Sequence, residues 1–324
     1  MNRWWRVYSY FLCGAFGGLI GWFFAAVLLA NTADRPGTGL RIVFGGVFGG
    51  CIGLAIATYE GFASRSVVRF LKFTALGLVF GVLAGAVALP AAQAVYRALL
   101  GAGATGGAGS ARLFAAGTFA WLLFGATIGL GESLTRGAQA TKGALGGLIG
   151  GIVGGLPFEL ARLAGSPNNP TAEQAVLAVS LTCLGGAIGG SIAFVTILVQ
   201  RAWLEVVDGP AAGRVYEVTK FVDPRLGSRK PGIIGSDEWS ANIYLPGDPE
   251  VLPHHARIGY VNEHPTLTAE AGTDDNPPLV NGQRVMTWQL GNGDRLQVGA
   301  TQLIYRQKKG KVRPSRPVAG SSAA

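Results

Sequence analysis

Between residues 1 and 200 the chain carries six apolar stretches, near 10–30, 39–59, 70–96, 113–131, 143–164 and 174–199. Each is close to the roughly 20 residues that a helix needs to cross a bilayer. Polar or small-residue breaks separate them: Asn31-Thr32-Ala33-Asp34-Arg35-Pro36, the Gly/Ala/Ser run 101–110, and Ser166-Pro167-Asn168-Asn169-Pro170. Pro90 lies inside the third stretch, where the helix is expected to kink or end. The fifth, with Pro157 and Glu159, is the weakest of the six. The first follows Asn2-Arg3-Trp4-Trp5-Arg6 in the manner of a signal peptide. It is of membrane length and lacks a good A-x-A cleavage site, so it reads as an uncleaved helix.

Composition supports the same class. Hydrophobic residues make up 49% of the 324 and charged residues only 14%, against about a quarter charged in ordinary soluble domains. Such low charge is incompatible with disorder over most of the length, and the 51 glycines have no collagen period. The net charge of +9 divides unevenly. Residues 1–200 hold 12 Lys+Arg against 5 Asp+Glu, residues 202–307 hold 9 against 13, and the tail 308–324 holds 5 basic residues and no acid. A nucleic-acid binder gathers its positive charge on a folded face. Here the soluble-looking segment is acidic, so nucleic acid is excluded as a partner. Cys13, Cys51 and Cys183 lie singly in apolar stretches, with no CxxC pair and no neighbouring His. They imply neither a disulfide framework nor a metal site.

Loop charge orients the spans. Arg3, Arg6, Arg65, Arg69, Lys72, Arg136, Lys142 and Arg201 fall on one side, and Arg35, Arg41, Arg97, Arg112 and Arg162 on the other. The positive-inside rule makes the richer side cytoplasmic, and six spans return the chain to it. Both termini are therefore expected in the cytoplasm, with the protein in the cell inner membrane.

Glycines recur at intervals of three and four. Gly14, Gly17, Gly18 and Gly21 form one such row, Gly45, Gly49 and Gly53 another, then Gly77, Gly81 and Gly85, and later Gly146, Gly150 and Gly154. This spacing stacks a groove free of side chains along a helix and lets a neighbouring backbone approach. Gly146, Gly150 and Gly154 are singled out as helix-packing positions. A faint repeat also shows. Ile52-Gly53-Leu54 precedes Glu60 and Arg65, and Ile128-Gly129-Leu130 precedes Glu132 and Arg136, each followed by a glycine-spaced helix. It reads as a duplicated helical hairpin, a device found in transporters and in plain bundles alike.

Few residues suggest chemistry. Gly101-Ala102-Gly103-Ala104-Thr105-Gly106 matches G-x-G-x-x-G but lies in an interhelical break, without the strand that a dinucleotide site requires. Glu60, Glu132 and Glu159 fall near span ends, where pairing with Arg65, Arg136 and Arg162 is expected. His254, His255 and His264 have no nucleophile motif beside them. No catalytic residue, metal site or cofactor is expected.

From residue 202 the pattern changes to short alternating strands, such as Leu204-Glu205-Val206-Val207 and Val215-Tyr216-Glu217. Turn pairs separate them, among them Asp208-Gly209-Pro210, Pro246-Gly247-Asp248 and Asn281-Gly282. Frequent turns between short strands imply a β-sandwich. Residues 203–306 resemble a forkhead-associated (FHA) domain. The resemblance rests on Leu204-Glu205-Val206, Ile233-Ile234-Gly235, His254-His255-Ala256-Arg257-Ile258, Val280-Asn281-Gly282 and Gly293-Asp294-Arg295. It implies an eleven-stranded sandwich whose end loops read phosphothreonine. The family's Gly-Arg motif falls on Gly235-Ser236, its Ser before the His on Leu252, and its Thr-Asn-Gly loop on Asp275-Asn276-Pro277. The resemblance thus implies that Ser236, Leu252, His255, Asn276 and Asn281 are the peptide-binding positions, with the Arg and Ser that would hold phosphate replaced. Arg229, Lys230 and Arg257 are candidate substitutes. The layout as a whole is similar to bacterial membrane proteins with glycine-rich helices and a cytosolic FHA domain.

The sequence therefore predicts three parts. Residues 1–200 form a glycine-rich all-α bundle of six transmembrane helices, residues 202–307 an all-β FHA-like sandwich, and residues 308–324 a basic disordered tail. The expected function is a non-enzymatic membrane adaptor, in Ser/Thr-kinase signalling. Its partners would be the lipid bilayer and a cytoplasmic protein or phosphoprotein, with homo-oligomers open. The alternative is a transporter or channel that the FHA-like domain regulates.

Overall fold

A computed structural model describes residues 3–30, 37–63, 66–100, 110–135, 140–164, 169–223, 231–261, 264–308 and 316–317. The chain divides near residue 200 into a helical unit and a β unit. The glycine motif at 101–106, Arg65, Arg136, Arg229, Lys230 and most of the tail lie outside the described residues.

The helical unit consists of α1 (Arg3–Ala30), α2 (Thr38–Ala63), α3 (Val67–Leu100), α4 (Ser110–Thr135), α5 (Ala140–Ala164) and α6 (Pro170–Val199). All six are long and apolar enough to cross a membrane. Pro90 and Pro157 are accommodated within α3 and α5, so α3 does not end at its proline.

The helices pack in a ring in chain order, and α6 closes it against α1. Three antiparallel pairs are joined at glycine. In α2–α3, Gly45, Gly49 and Gly53 face Gly85, Gly81 and Gly77; in α4–α5, Gly125 and Gly129 face Gly147 and Gly143; in α6–α1, Gly185 faces Gly14. At each of these positions an added Cβ would fall on the opposite carbonyl oxygen, closer than any side chain tolerates. The repeat is thus threefold rather than twofold. Phe48-Gly49…Ile52-Gly53…Ile56 of α2 recurs as Phe124-Gly125…Ile128-Gly129…Glu132 in α4 and Leu184-Gly185…Ile188-Gly189…Ile192 in α6. The third copy escapes a linear reading because its partner helix, α1, stands at the other end of the unit.

The even-numbered helices meet in the middle. Phe48 and Phe124 have ring centroids 5.8 Å apart, and Leu184, Ile52, Ile128, Ile188, Ile56 and Ile192 join them in one buried cluster. Outward, Phe16, Phe23, Phe62, Val67, Val87 and Leu160 are exposed, as helix faces meeting lipid require. Charged groups cluster at the helix ends. Arg6 pairs with Glu60 at 2.7 Å. Arg162 donates from Nε and a terminal nitrogen to Glu159 Oε2 at 3.0 and 2.8 Å, while Trp121 Nε1 donates to Oε1 at 3.1 Å. Of the expected pairs, Glu159 with Arg162 is seen; those of Glu60 with Arg65 and of Glu132 with Arg136 involve residues outside the described set. Glu132 is only 3% exposed and takes the place that Ile56 and Ile192 hold in the other copies.

On α5, Gly146, Gly150 and Gly154 face α6. A Cβ at these positions would lie 2.6, 2.5 and 2.6 Å from the Cα atoms of Ile192, Ile188 and Leu184. Dispersion contact between backbones replaces the hydrophobic effect as the cohesive term in lipid. Gly150→Leu must therefore force α5 and α6 apart, lowering the thermal midpoint in detergent while membrane insertion persists. At Gly46 the nearest atom is an ordinary 3.5 Å away, so Gly46→Ala should leave the midpoint nearly unchanged. Equal midpoints for Gly150→Leu and wild type would contradict this packing.

The β unit holds β1 (Ala202–Asp208), β2 (Val215–Glu217), a short helix α7 (Thr219–Val222), β3 (Gly232–Gly235), β4 (Ile243–Tyr244), β5 (Ala256–Val261), β6 (His264–Ala269), β7 (Leu279–Val280), β8 (Gln283–Arg284), β9 (Thr287–Gln289), β10 (Arg295–Val298), β11 (Thr301–Gln307) and β12 (Arg316–Pro317). They form two six-stranded sheets, ordered β2-β1-β11-β10-β7-β8 and β12-β9-β6-β5-β3-β4. Alternate residues such as Leu204, Val206, Ile234, Ile258, Leu267, Val298, Leu303 and Tyr305 fill a single core. The β7–β8 hairpin turns at Asn281 and Gly282, with φ of +53° and +84°, the left-handed pair that a two-residue hairpin of this kind demands.

Candidate functional site

Three loops follow or precede the strands of the second sheet: β3–β4 (236–242), β4–β5 (245–255) and β6–β7 (270–278). Backbone pairing ties the first two together. Ser236 N–H donates to Leu252 O at 3.0 Å and Asp237 N–H to Pro253 O at 3.3 Å. Gly235 rests on the Pro253 carbonyl so closely that no side chain fits there. Ser236 spends its hydroxyl on Val251 O, at 2.8 Å.

His255 is fully buried and braces the loops. Its Nδ1 accepts from Leu252 N–H at 3.3 Å, which leaves the ring proton on Nε2. Burial pushes its pKa below the ordinary histidine value, and the Asn276 backbone and the Asp248 charge only partly oppose this. Asn276 Nδ2 donates to Glu250 O at 3.0 Å, joining the third loop to the second. Asn281 stands apart and serves the hairpin. Its Nδ2 donates to Asp294 Oδ1 at 3.0 Å, and its Oδ1 accepts from Arg295 N–H at 3.0 Å.

The loop end is acidic. The three loops contain Asp237, Glu238, Asp248, Glu250, Glu270, Asp274 and Asp275 and no Lys or Arg; the nearest such residue in sequence is Arg257 of β5. Arg257 is held by Glu270. The sequence did not single out a small network here. Asp237 accepts from Ser240 N–H at 2.9 Å and from the Ser240 hydroxyl, and Ser240 Oγ lies 2.5 Å from His254 Nε2. These hydrogen bonds hold the Asp237 carboxyl below the usual carboxylate range. The spacing Asp-x-x-Ser, a local side-chain-to-backbone turn, was its only signal. Trp239 beside it is 66% exposed. Among the described residues no group of three or more His, Cys, Asp or Glu could hold a metal ion.

Comparison with known families decides what these loops belong to: the FHA domain family matches residues 232–299. Residues 232–299 are an FHA domain. The β unit is similar to solved FHA structures. One, from a study of phosphothreonine-dependent FHA interactions, is 28% identical, with 34% of this chain and 98% of that one covered and a TM-score of 0.27. Another is the FhaA FHA domain complexed with the intracellular domain of Rv3910, at 26% identity, 32% and 99% coverage and 0.26. A third is the FHA domain of CT664 from Chlamydia trachomatis, at 22%, 34% and 99%, and 0.28. No curated protein matches the chain.

His255 and Asn276 tie the loops together here, and the resemblance to FHA domains implies that Ser236 and Leu252 occupy the positions that would grip phosphate. A charge-assisted hydrogen bond contributes about 1.5–3 kcal/mol, so loss of one arginine weakens phosphate binding tenfold or more. The native protein should therefore bind a phosphothreonine peptide and its unmodified twin about equally in calorimetry. Ser236→Arg with Leu252→Ser should create a preference for the phosphorylated form. Tight phosphate-dependent binding by the native chain would contradict this. A second expectation concerns acid. Protonating His255 costs more folded than unfolded, so its stabilising share is present above about pH 6.5 and is lost as pH falls below that. The unfolding midpoint of the FHA domain should drop between pH 7 and 5, and drop less in His255→Gln. Equal slopes for the two would contradict the assignment.

Proposed function

We propose that the protein is a non-enzymatic, membrane-anchored adaptor whose FHA domain holds a partner protein at the cytoplasmic face of the inner membrane, in Ser/Thr-kinase signalling. The observation that carries this reading is the FHA domain itself, a binding module, on one chain with six helices long and apolar enough to span a bilayer. Of the solved FHA structures similar to the β unit, one comes from a study of phosphothreonine-dependent FHA interactions and another is complexed with the intracellular domain of a second protein. In this chain the replacements at Ser236 and Leu252 favour a partner recognised by surface rather than by phosphate.

A transporter or channel regulated by the FHA domain would need a polar path through the helices. Phe48, Phe124, Leu184, Ile52, Ile128 and Ile188 are buried together between the even-numbered helices, and this dry middle supports the adaptor. The placement of both termini in the cytoplasm rests on the eight Lys+Arg of one set of loops against five of the other. A reporter active only outside the cytoplasm, fused after Arg306, should stay silent, and a cytoplasmic reporter there should be active. Strong activity of the external reporter would overturn the orientation and the kinase-linked role with it.

A further inference from the structure

The second sheet has two rims. One is β4, next to the loops just described. The other would be β9, were it not that Arg316 and Pro317 of the basic tail pair with it, Arg316 opposite Gln289 and Pro317 opposite Trp288. An open rim presents unpaired N–H and C=O groups to any extended chain, and adding a strand to such a rim is a recurring mode of peptide capture.

The register shows that this pairing is chemically suited. Leu290 N–H donates to Pro265 O of β6 at 2.8 Å, so β9 turns the backbone groups of Leu290 and, two residues back, Trp288 toward β6. Trp288 pairs there with Leu267. The N–H and C=O of Gln289 consequently face the open side, where Arg316 supplies a matching pair. Pro317 falls opposite Trp288, whose backbone groups point away from it. That position requires no N–H from the added strand, which is the one requirement proline cannot meet. Proline on the outer strand also blocks further strand addition. Reach is no obstacle. Arg316 lies eight positions beyond Lys308, a span of up to about 26–29 Å, and stacked sheets lie about 10 Å apart. Charge agrees as well: the tail has 5 basic residues and no acid, whereas residues 202–307 hold 9 basic and 13 acidic.

We propose that the β9 rim is a strand-acceptor site for an extended cationic segment, and that the chain's own tail is its resident occupant, closing the rim until it is displaced. This goes beyond the adaptor reading and does not depend on phosphate recognition or on topology.

Hydrogen exchange of single amides in the detergent-solubilised full chain tests it. Ending the chain at Lys308, or introducing Arg316→Pro in the intact chain, should speed exchange of the Gln289 amide at least tenfold and leave the Leu290 amide, bonded to Pro265, unchanged. A synthetic peptide of residues 309–324 should restore Gln289 protection in the shortened chain, and added salt should weaken that protection. Unchanged Gln289 exchange after truncation would overturn the proposal. So would a peptide that fails to restore protection, or Leu290 accelerating as much as Gln289, since the tail would then be a general support of the sheet rather than the occupant of its rim.

Discussion

Backbone contact at glycine is the constraint on which the helical unit depends. Where Gly45 meets Gly85, Gly49 meets Gly81 and Gly125 meets Gly147, there is no volume for even a methyl group. Water cannot drive such helices together within lipid, because leaving them apart exposes nothing that lipid does not solvate. Close packing supplies the cohesion instead. The same contact appears in three hairpins, one of them closed between the first and last helices, and the ring follows from it. Bringing the three even-numbered helices close in turn places Phe48, Phe124 and the isoleucines at 52, 128 and 188 in one buried cluster. Packing by small residues and closure of the middle by large ones are two sides of one pattern.

Much of this could be read in the sequence, for reasons specific to each feature. Membrane-length apolar runs are long signals, so all six helices were legible. Their ends were not. The first helix begins at Arg3 rather than near residue 10, since Trp4, Trp5 and Arg6 are interfacial residues that a hydropathy window discounts. Pro90 does not end α3, which runs on to Leu100. The repeat looked twofold because Ile52-Gly53-Leu54 and Ile128-Gly129-Leu130 share a leucine, whereas the third copy has Ile188-Gly189-Gly190 and a partner helix far away in the chain. Aligning Glu60 with Glu132 was misleading. The structural counterpart of Glu132 is Ile56, which puts the carboxylate inside the packing rather than at its margin.

In the FHA domain the scaffold was more legible than the site. Turn residues with left-handed backbone, Asn281 and Gly282 above all, announce themselves by residue type. Ser236 and Leu252 stand out only against the family resemblance, which implies that they replace residues that hold phosphate, and the structure adds what the Ser236 side chain does. Ser236 caps the Val251 carbonyl, and Arg257, a candidate phosphate contact, is already engaged by Glu270. Arg229 and Lys230 fall outside the described residues. The pairing of Arg316 and Pro317 with β9 had no local signal, because a two-residue strand in a tail of Lys, Arg, Pro and Gly has neither alternation nor hydrophobicity. The tail as a whole reads as disordered.

The proposed adaptor role joins these halves: a helical unit held together by glycine and closed in its middle would anchor a binding module and form no conduit. Flux through the purified full chain in sealed liposomes tests that claim most directly. With matched protein-free vesicles as the baseline, the account predicts no added permeability to protons, monovalent cations or small polar solutes across a transmembrane gradient. Selective, saturable flux that is abolished by Ile128→Trp in the middle of the bundle would contradict it, and would make the FHA domain the regulator of a conduit.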